Sequence, residues 1–169
     1  KYFGLVSYEI LRNLYPELKK EEIEKVLEDN YKYFYESKEH LKTFRGVRNT
    51  LKILRKKYCL VLISNCTRKE ILTSLKKTKM SPKTFKILIG SDDVEKPKPW
   101  PDEILLAEKK LNKKVKFVIG DSPYDIIAGK RAKAKTIGVL TGNHSRRQLK
   151  SVGADFIFKD FNKVLKILY

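Results

Sequence analysis

Lys116-Phe117-Val118-Ile119-Gly120-Asp121-Ser122-Pro123-Tyr124-Asp125 is the stretch that decides the fold. Its β-branched and aromatic run reads as a buried strand, and Gly120 lets the backbone turn sharply at the end. Ser122 and Pro123 then suit the N-cap and the first position of a helix. Asp121 is thereby set at the carboxyl end of a strand, where open parallel sheets place their ligands. Asp125 follows in the first helical turn and has two readings. Either it joins Asp121 in holding a hard divalent cation such as Mg2+, or it is the acid that completes a capping box.

Outward from this stretch, the chain alternates helices and short apolar strands. The pattern predicts a helix over residues 47–57 and a strand over 59–63. A capping box, Thr67 to Glu70, opens a helix that runs to about residue 77. A strand over 85–89, a helix over 101–111, the quoted strand and a helix over 123–132 follow. The pattern closes with a strand over 136–140, a helix over 145–152, a strand over 156–158 and a helix over 161–168. Strands separated by helices in this order imply a parallel sheet with right-handed crossovers. Residues 7–42 differ. Tyr8, Leu11, Leu14 and Tyr15 form one helical stripe; Ile23, Val26, Leu27, Tyr31 and Phe34 form another; no strand is expected. The cluster Tyr31, Tyr33, Phe34 and Tyr35 reads as the core of this helical piece rather than a ligand cage.

At 169 residues the chain has room for one domain and a small accessory piece. Hydrophobic residues at 41% and charged residues at 34% fit a globular protein rather than a disordered one. No apolar run approaches the roughly 20 residues of a membrane span, and no signal peptide is visible. Two cysteines, Cys59 and Cys66, argue against a disulfide framework and for a reducing cytoplasm. The net charge of +18 raises a nucleic-acid partner, but the lysines are spread over every predicted helix among Glu and Asp, and no nucleic-acid motif accompanies them. A small anionic substrate suits the same charge. Oligomeric state cannot be read from these features.

Two further strand ends carry polar residues. Ile63 runs into Ser64-Asn65, ahead of the Thr67 cap, where a hydroxyl and free amides could seat a phosphate or simply make a turn. The strand over 85–89 leads into a loop in which Pro97, Pro99 and Pro101 hold lysines with little freedom. A rigid lysine there can neutralise phosphoryl charge. Asp92, Asp93 and Glu95 read as surface charge. Hydroxyl, ammonium and paired carboxylates on one rim outline a phosphoryl-transfer site.

In this order the residues resemble the haloacid dehalogenase superfamily, in its phosphoglycolate phosphatase-like and β-phosphoglucomutase-like branch. Val61-Leu62-Ile63-Ser64-Asn65 looks like the second motif of that family. Lys98-Pro99-Trp100-Pro101-Asp102 is similar to the third, with Lys96-Pro97 as a competing register. Gly120 to Ile126, continuing to Thr136-Ile137-Gly138-Val139, looks like the fourth. The resemblance implies an α/β fold: a Rossmann-like parallel sheet with helices on both faces over residues 44–169, and part of an α-helical cap over residues 1–43. It implies that Ser64 and the Asn65 amide hold the phosphoryl group, that Lys98 neutralises it, and that Asp121, with Asp125 directly or through water, binds Mg2+. The cap would swing about residues 43–46 and choose a small phosphorylated metabolite. The first family motif, Asp-x-Asp, whose first carboxylate is the nucleophile and whose second is the acid/base, has no counterpart here. The expectation is therefore a sheet without its central strand and a chain inactive as given. A Mg2+-dependent phosphate-monoester hydrolase is expected once that segment is present. A phosphomutase or a non-catalytic relative on the same scaffold are the alternatives.

Overall fold

The computed structural model describes residues 6–37 and 41–169. Residues 1–5 of the expected cap, and residues 38–40 of the helix expected over 7–42, lie outside the described residues. The chain begins with two helices, α1 (Ser7–Leu14) and α2 (Lys20–Glu36), which pack on each other around Ile23, 1% exposed. Residues 15–19 separate them, so Lys20, Glu21 and Glu22 of the polar break expected over 18–22 form the first turn of α2 instead. Tyr33 is 67% exposed and so is no part of a core, a correction that follows from its place on the outer side of α2. Tyr31 and Tyr35, one turn apart, stack at 6.2 Å, and the ammonium of Lys69 lies 4.2 Å over the Tyr35 ring. Lys77 also donates to the Ser37 carbonyl, so the end of α2 is tied to the helix that carries both lysines.

The alternating part follows the expected order: α3 (Val47–Leu54), β1 (Val61–Ile63), α4 (Arg68–Lys77), β2 (Ile87–Ile89), α5 (Asp102–Leu111), β3 (Phe117–Gly120), α6 (Pro123–Arg131), β4 (Lys135–Val139), α7 (Arg146–Ser151), β5 (Phe156–Phe158) and α8 (Leu165–Leu168). The first two strands are shorter than predicted, although Leu60 still accepts from the Lys86 amide at 2.8 Å and extends the pairing by a residue. Residues 161–164 form a 3-10 turn ahead of α8.

All strand pairing is parallel, but it falls into two pieces. β1 pairs with β2 (Val61 opposite Ile87), and β4 lies between β3 and β5 (Phe117 opposite Lys135, Ile137 opposite Phe156). β4 shows why both faces are covered. Ile137 and Val139 point into a core with Leu54, Val164 and Leu168, from α3 and the chain end. The alternate residues face α6 and α7: the Thr136 methyl sits against Gly129, and Leu149 against Gly138. A second cluster, Ile71, Leu75 and Leu88, seats α4 on β2.

β1 and β3 do not pair with each other. Between their facing edges lies a cavity of about 1090 Å3, lined along its walls by Leu60, Leu62, Phe117 and Ile119 and ending at Lys98 and Asp125. Among the described residues, β1 and β3 thus each have one edge without a hydrogen-bonded strand.

Candidate active site

Three connections meet where the strands end. β1 delivers Ser64. The Ser64 amide donates to the Ile89 carbonyl at 3.1 Å, continuing the ladder with β2, and its hydroxyl accepts from the Cys66 amide at 3.2 Å. The turn is then closed by Thr67, whose hydroxyl accepts from the Glu70 amide while the Glu70 carboxylate accepts from the Thr67 amide at 2.7 Å. Asp92, exposed, and Asp93, half-buried, are surface charges as the sequence suggests, and each also caps a backbone donor. Asp92 accepts from the Arg68 amide at 2.7 Å, at the start of α4, and Asp93 accepts from the Gly90 amide at 2.9 Å.

Lys98 is the residue on which the site converges. Only 9% exposed, it is held by four residues from three parts of the chain. Its ammonium pairs with Asp125 Oδ1 at 2.9 Å and reaches the Ile63 carbonyl at 3.5 Å. Its amide donates to Glu103 Oε2 at 3.0 Å, and its carbonyl accepts from Asn65 Nδ2 at 2.8 Å. The Lys98–Pro99 peptide is cis. Next to it, Arg131 of α6 donates to the Pro99 carbonyl at 2.8 Å and lies 4.4 Å over the Trp100 ring. Burial alone would push the Lys98 ammonium toward its neutral form. Asp125, with Glu103 and Asp121 behind it, outweighs that and holds the ammonium above its ordinary range. Lys96, the competing register, instead faces the Trp100 ring at 5.5 Å.

Asp125 takes the capping role and adds an ion pair that the sequence did not suggest. Oδ2 completes the capping box, accepting from the Ser122 amide at 3.0 Å and the Ser122 hydroxyl at 2.8 Å, and Oδ1 takes the Lys98 ammonium. Burial works against its charge, yet Lys98 and Ser122 together pull its carboxyl below the ordinary range. Asp121 behaves oppositely. The packing around its base, followed by the negative Asp125, raises its carboxyl, although its outer edge is open to solvent. Backbone comes unusually close here. A Cβ on Gly120 would meet the buried Asp125 side chain at 2.3 Å and is sterically barred, whereas one on Gly142 would meet Asp121 Oδ2 at 1.7 Å and require that side chain to turn aside.

The structure therefore brings Ser64, Lys98 and Asp125 together on the cavity lining, with Asn65 bonded to Lys98 and Asp121 close enough to couple to Asp125 electrostatically. Sequence reasoning placed Asn65 by its amide, whereas its side chain is what braces Lys98. It missed two residues. Glu103 reads as an ordinary first-turn acid of α5 but is wholly buried. His144, 8% exposed, favours the charged form of Asp121 from the loop after β4. Its imidazole Nδ1 has no hydrogen-bond partner among the described residues. No local pattern in the sequence marks either one.

Whether these residues suit Mg2+ turns on the carboxylates. Two hard oxygen donors and a raised, charge-crowded Asp121 fit a divalent cation. Among the described residues no group of three or more His, Cys, Asp or Glu surrounds the spot, so remaining ligands would be water or phosphoryl oxygens.

A parallel α/β body whose strand ends gather a hydroxyl, a buried ammonium and two carboxylates defines a phosphoryl-handling class of fold. Comparison with known proteins agrees. The profile of haloacid dehalogenase-like hydrolases matches residues 1–139, and the chain belongs to that family. It is 31% identical over 163 residues to the pyrophosphatase PpaX of Anoxybacillus flavithermus, covering 94% of this chain and 75% of that protein. The structure of a hydrolase from Pseudomonas syringae superposes with a TM-score of 0.80 at 27% identity, over 99% of this chain and 79% of the other. A provisionally named phosphoglycolate phosphatase from Lactobacillus delbrueckii gives 0.75 at 26% identity, over 89% and 64%. No helix among the described residues is long and apolar enough to cross a membrane.

Proposed function

We propose that this chain supplies the phosphate seat and cation side of a Mg2+-dependent phosphate-monoester hydrolase acting on a small phosphorylated metabolite. The observation that carries the reading is the Lys98 ammonium, held between the Ile63 carbonyl at the end of β1 and Asp125 at the start of α6. A buried cation anchored at the mouth of an apolar slot is placed to meet phosphoryl charge.

In this reading Ser64 and the Asn65 amide hold two phosphoryl oxygens, and Lys98 neutralises the third. Asp121 holds Mg2+, with Asp125 directly or through water, and when bound the ion adds positive charge against the phosphoryl oxygens. Asp125 keeps Lys98 protonated and aimed. Residues 1–43, as part of a cap, limit water and choose the substrate. The nucleophilic carboxylate and the acid/base belong to no residue of this chain. The open edges of β1 and β3 support a further strand that carries them into the slot.

The test adds a segment bearing Asp-x-Asp at the end of an apolar strand and assays phosphate monoesters and pyrophosphate with Mg2+. Turnover that disappears with EDTA and in Lys98→Ala is expected. Absence of turnover on every substrate, with the segment bound, overturns the reading.

A further inference from the structure

Glu103 is a charged side chain with 0% exposure, in the second position of α5. It makes one hydrogen bond among the described residues, accepting the Lys98 amide on Oε2, while Oε1 has no partner. A carboxylate so placed carries a desolvation cost that one amide offsets poorly, and an apolar residue of similar volume would pack there at lower cost. Its location in the first helical turn does not account for it either. Asp102 already supplies the favourable charge at that end of α5 from a less buried position, where a first-turn acid needs only proximity. What Glu103 reaches, and Asp102 does not, is the peptide that carries Lys98.

We propose that Glu103 is a positioning residue for Lys98. With Asn65 gripping the Lys98 carbonyl, it fixes that peptide from both sides, so the ammonium is delivered to Asp125 and the slot mouth instead of swinging into solvent. Pro97 and Pro99 leave the Lys98 amide as the one backbone donor between residues 97 and 99, and Glu103 takes it. The role rests on the proposed reading only in that Lys98 is what meets the phosphate.

The experiment compares the 169-residue chain with Glu103→Gln, which keeps an oxygen acceptor, and Glu103→Leu, which removes it. Each protein is treated briefly with acetic anhydride, and acetylation of each lysine is quantified by mass spectrometry. Lys98 is expected to stay protected in the wild type and in Glu103→Gln. In Glu103→Leu its labelling rises about tenfold, the effect of losing one hydrogen bond within a charged cluster, while Lys96 and Lys114 do not change. Equal protection of Lys98 in the wild type and Glu103→Leu overturns the proposal. A uniform rise at all lysines reports unfolding of that variant, and the reading then passes to a second substitution. Should Glu103→Leu not fold, Glu103→Asp withdraws the acceptor while keeping the charge and is read in the same way.

Titration calorimetry with orthophosphate and Mg2+ adds the functional arm. Affinity falls about tenfold in Glu103→Leu and is kept within about twofold in Glu103→Gln. Undiminished affinity in Glu103→Leu also overturns the proposal. A wild type that binds no phosphate, with Lys98 still unmasked by Glu103→Leu, upholds the positioning role and sinks the phosphatase reading instead.

Discussion

β4 is less apolar in sequence than β1 or β3, yet more deeply buried in the fold. Four consecutive residues of β4, from Thr136 to Val139, are buried, whereas every residue of β1 and β3 is only half-buried. β4 has a hydrogen-bonded neighbour on each side and helices on each face; β1 and β3 each have one edge open to the slot. Strand character is thus set by the chain, but burial is set by neighbours, and the open edges mark where this fold has room for more backbone.

The most severe break in that comparison is Lys98→Ala. It removes the ammonium that reaches from the end of β1 to Asp125 beyond β3, and it leaves Asp125 buried without its partner. A loss of about 3–5 kcal/mol in urea unfolding is expected. Next, Ile137→Ala in the closed strand should cost about 3–4 kcal/mol, while Val118→Ala beside the slot should cost about 1 kcal/mol, because its site is already partly solvated. Equal losses for the two would refute the contrast.

Asp155 anchors the closed side. It accepts from the Thr136 amide and hydroxyl at 2.7 and 2.8 Å and pairs with Lys130 at 2.8 Å. Burial alone would raise its carboxyl, but these partners hold it far below the ordinary range. Its folded pKa is depressed, so its contribution is complete above about pH 4–5 and fades as pH falls below the unfolded value of about 3.9. Asp155→Asn should cost about 1–3 kcal/mol at neutral pH and flatten the acid limb of stability against pH. The smallest expected effect is a gain. Asp121→Asn relieves repulsion with Asp125 and should raise stability by less than about 1 kcal/mol near neutrality, with no gain in acid where Asp121 is protonated. It should also weaken Mg2+ binding, measured by calorimetry.

Much of the site was legible because local signals coincide with strand ends. An apolar run stopped by Gly120-Asp121, a run stopped by Ser64-Asn65, and a lysine between prolines each report where a strand or loop must end. The choice of Lys98 over Lys96 needed the distance to Asp102 and holds in the structure, where Lys98 alone reaches Asp125. The illegible residues share one trait. Asp92, Asp93 and Glu103 look like surface acids by type and spacing, yet each satisfies a backbone donor, distant in the chain for Asp92 and close by in the chain for the other two. Tyr33 fails the other way: it sits beside apolar neighbours in the chain but on the solvent side of α2.

The order of amino acids by itself determined the alternation of helices and strands, the parallel pairing and the three polar strand ends, because periodicity, glycine turns and caps act over a few residues. The joining of those ends around one ammonium was decided only by the tertiary structure. So were the burial of Glu103 and the double duty of Asp125. Burial and electrostatic coupling are properties of the space around a side chain, and that space is filled by residues 20–60 positions away in the chain.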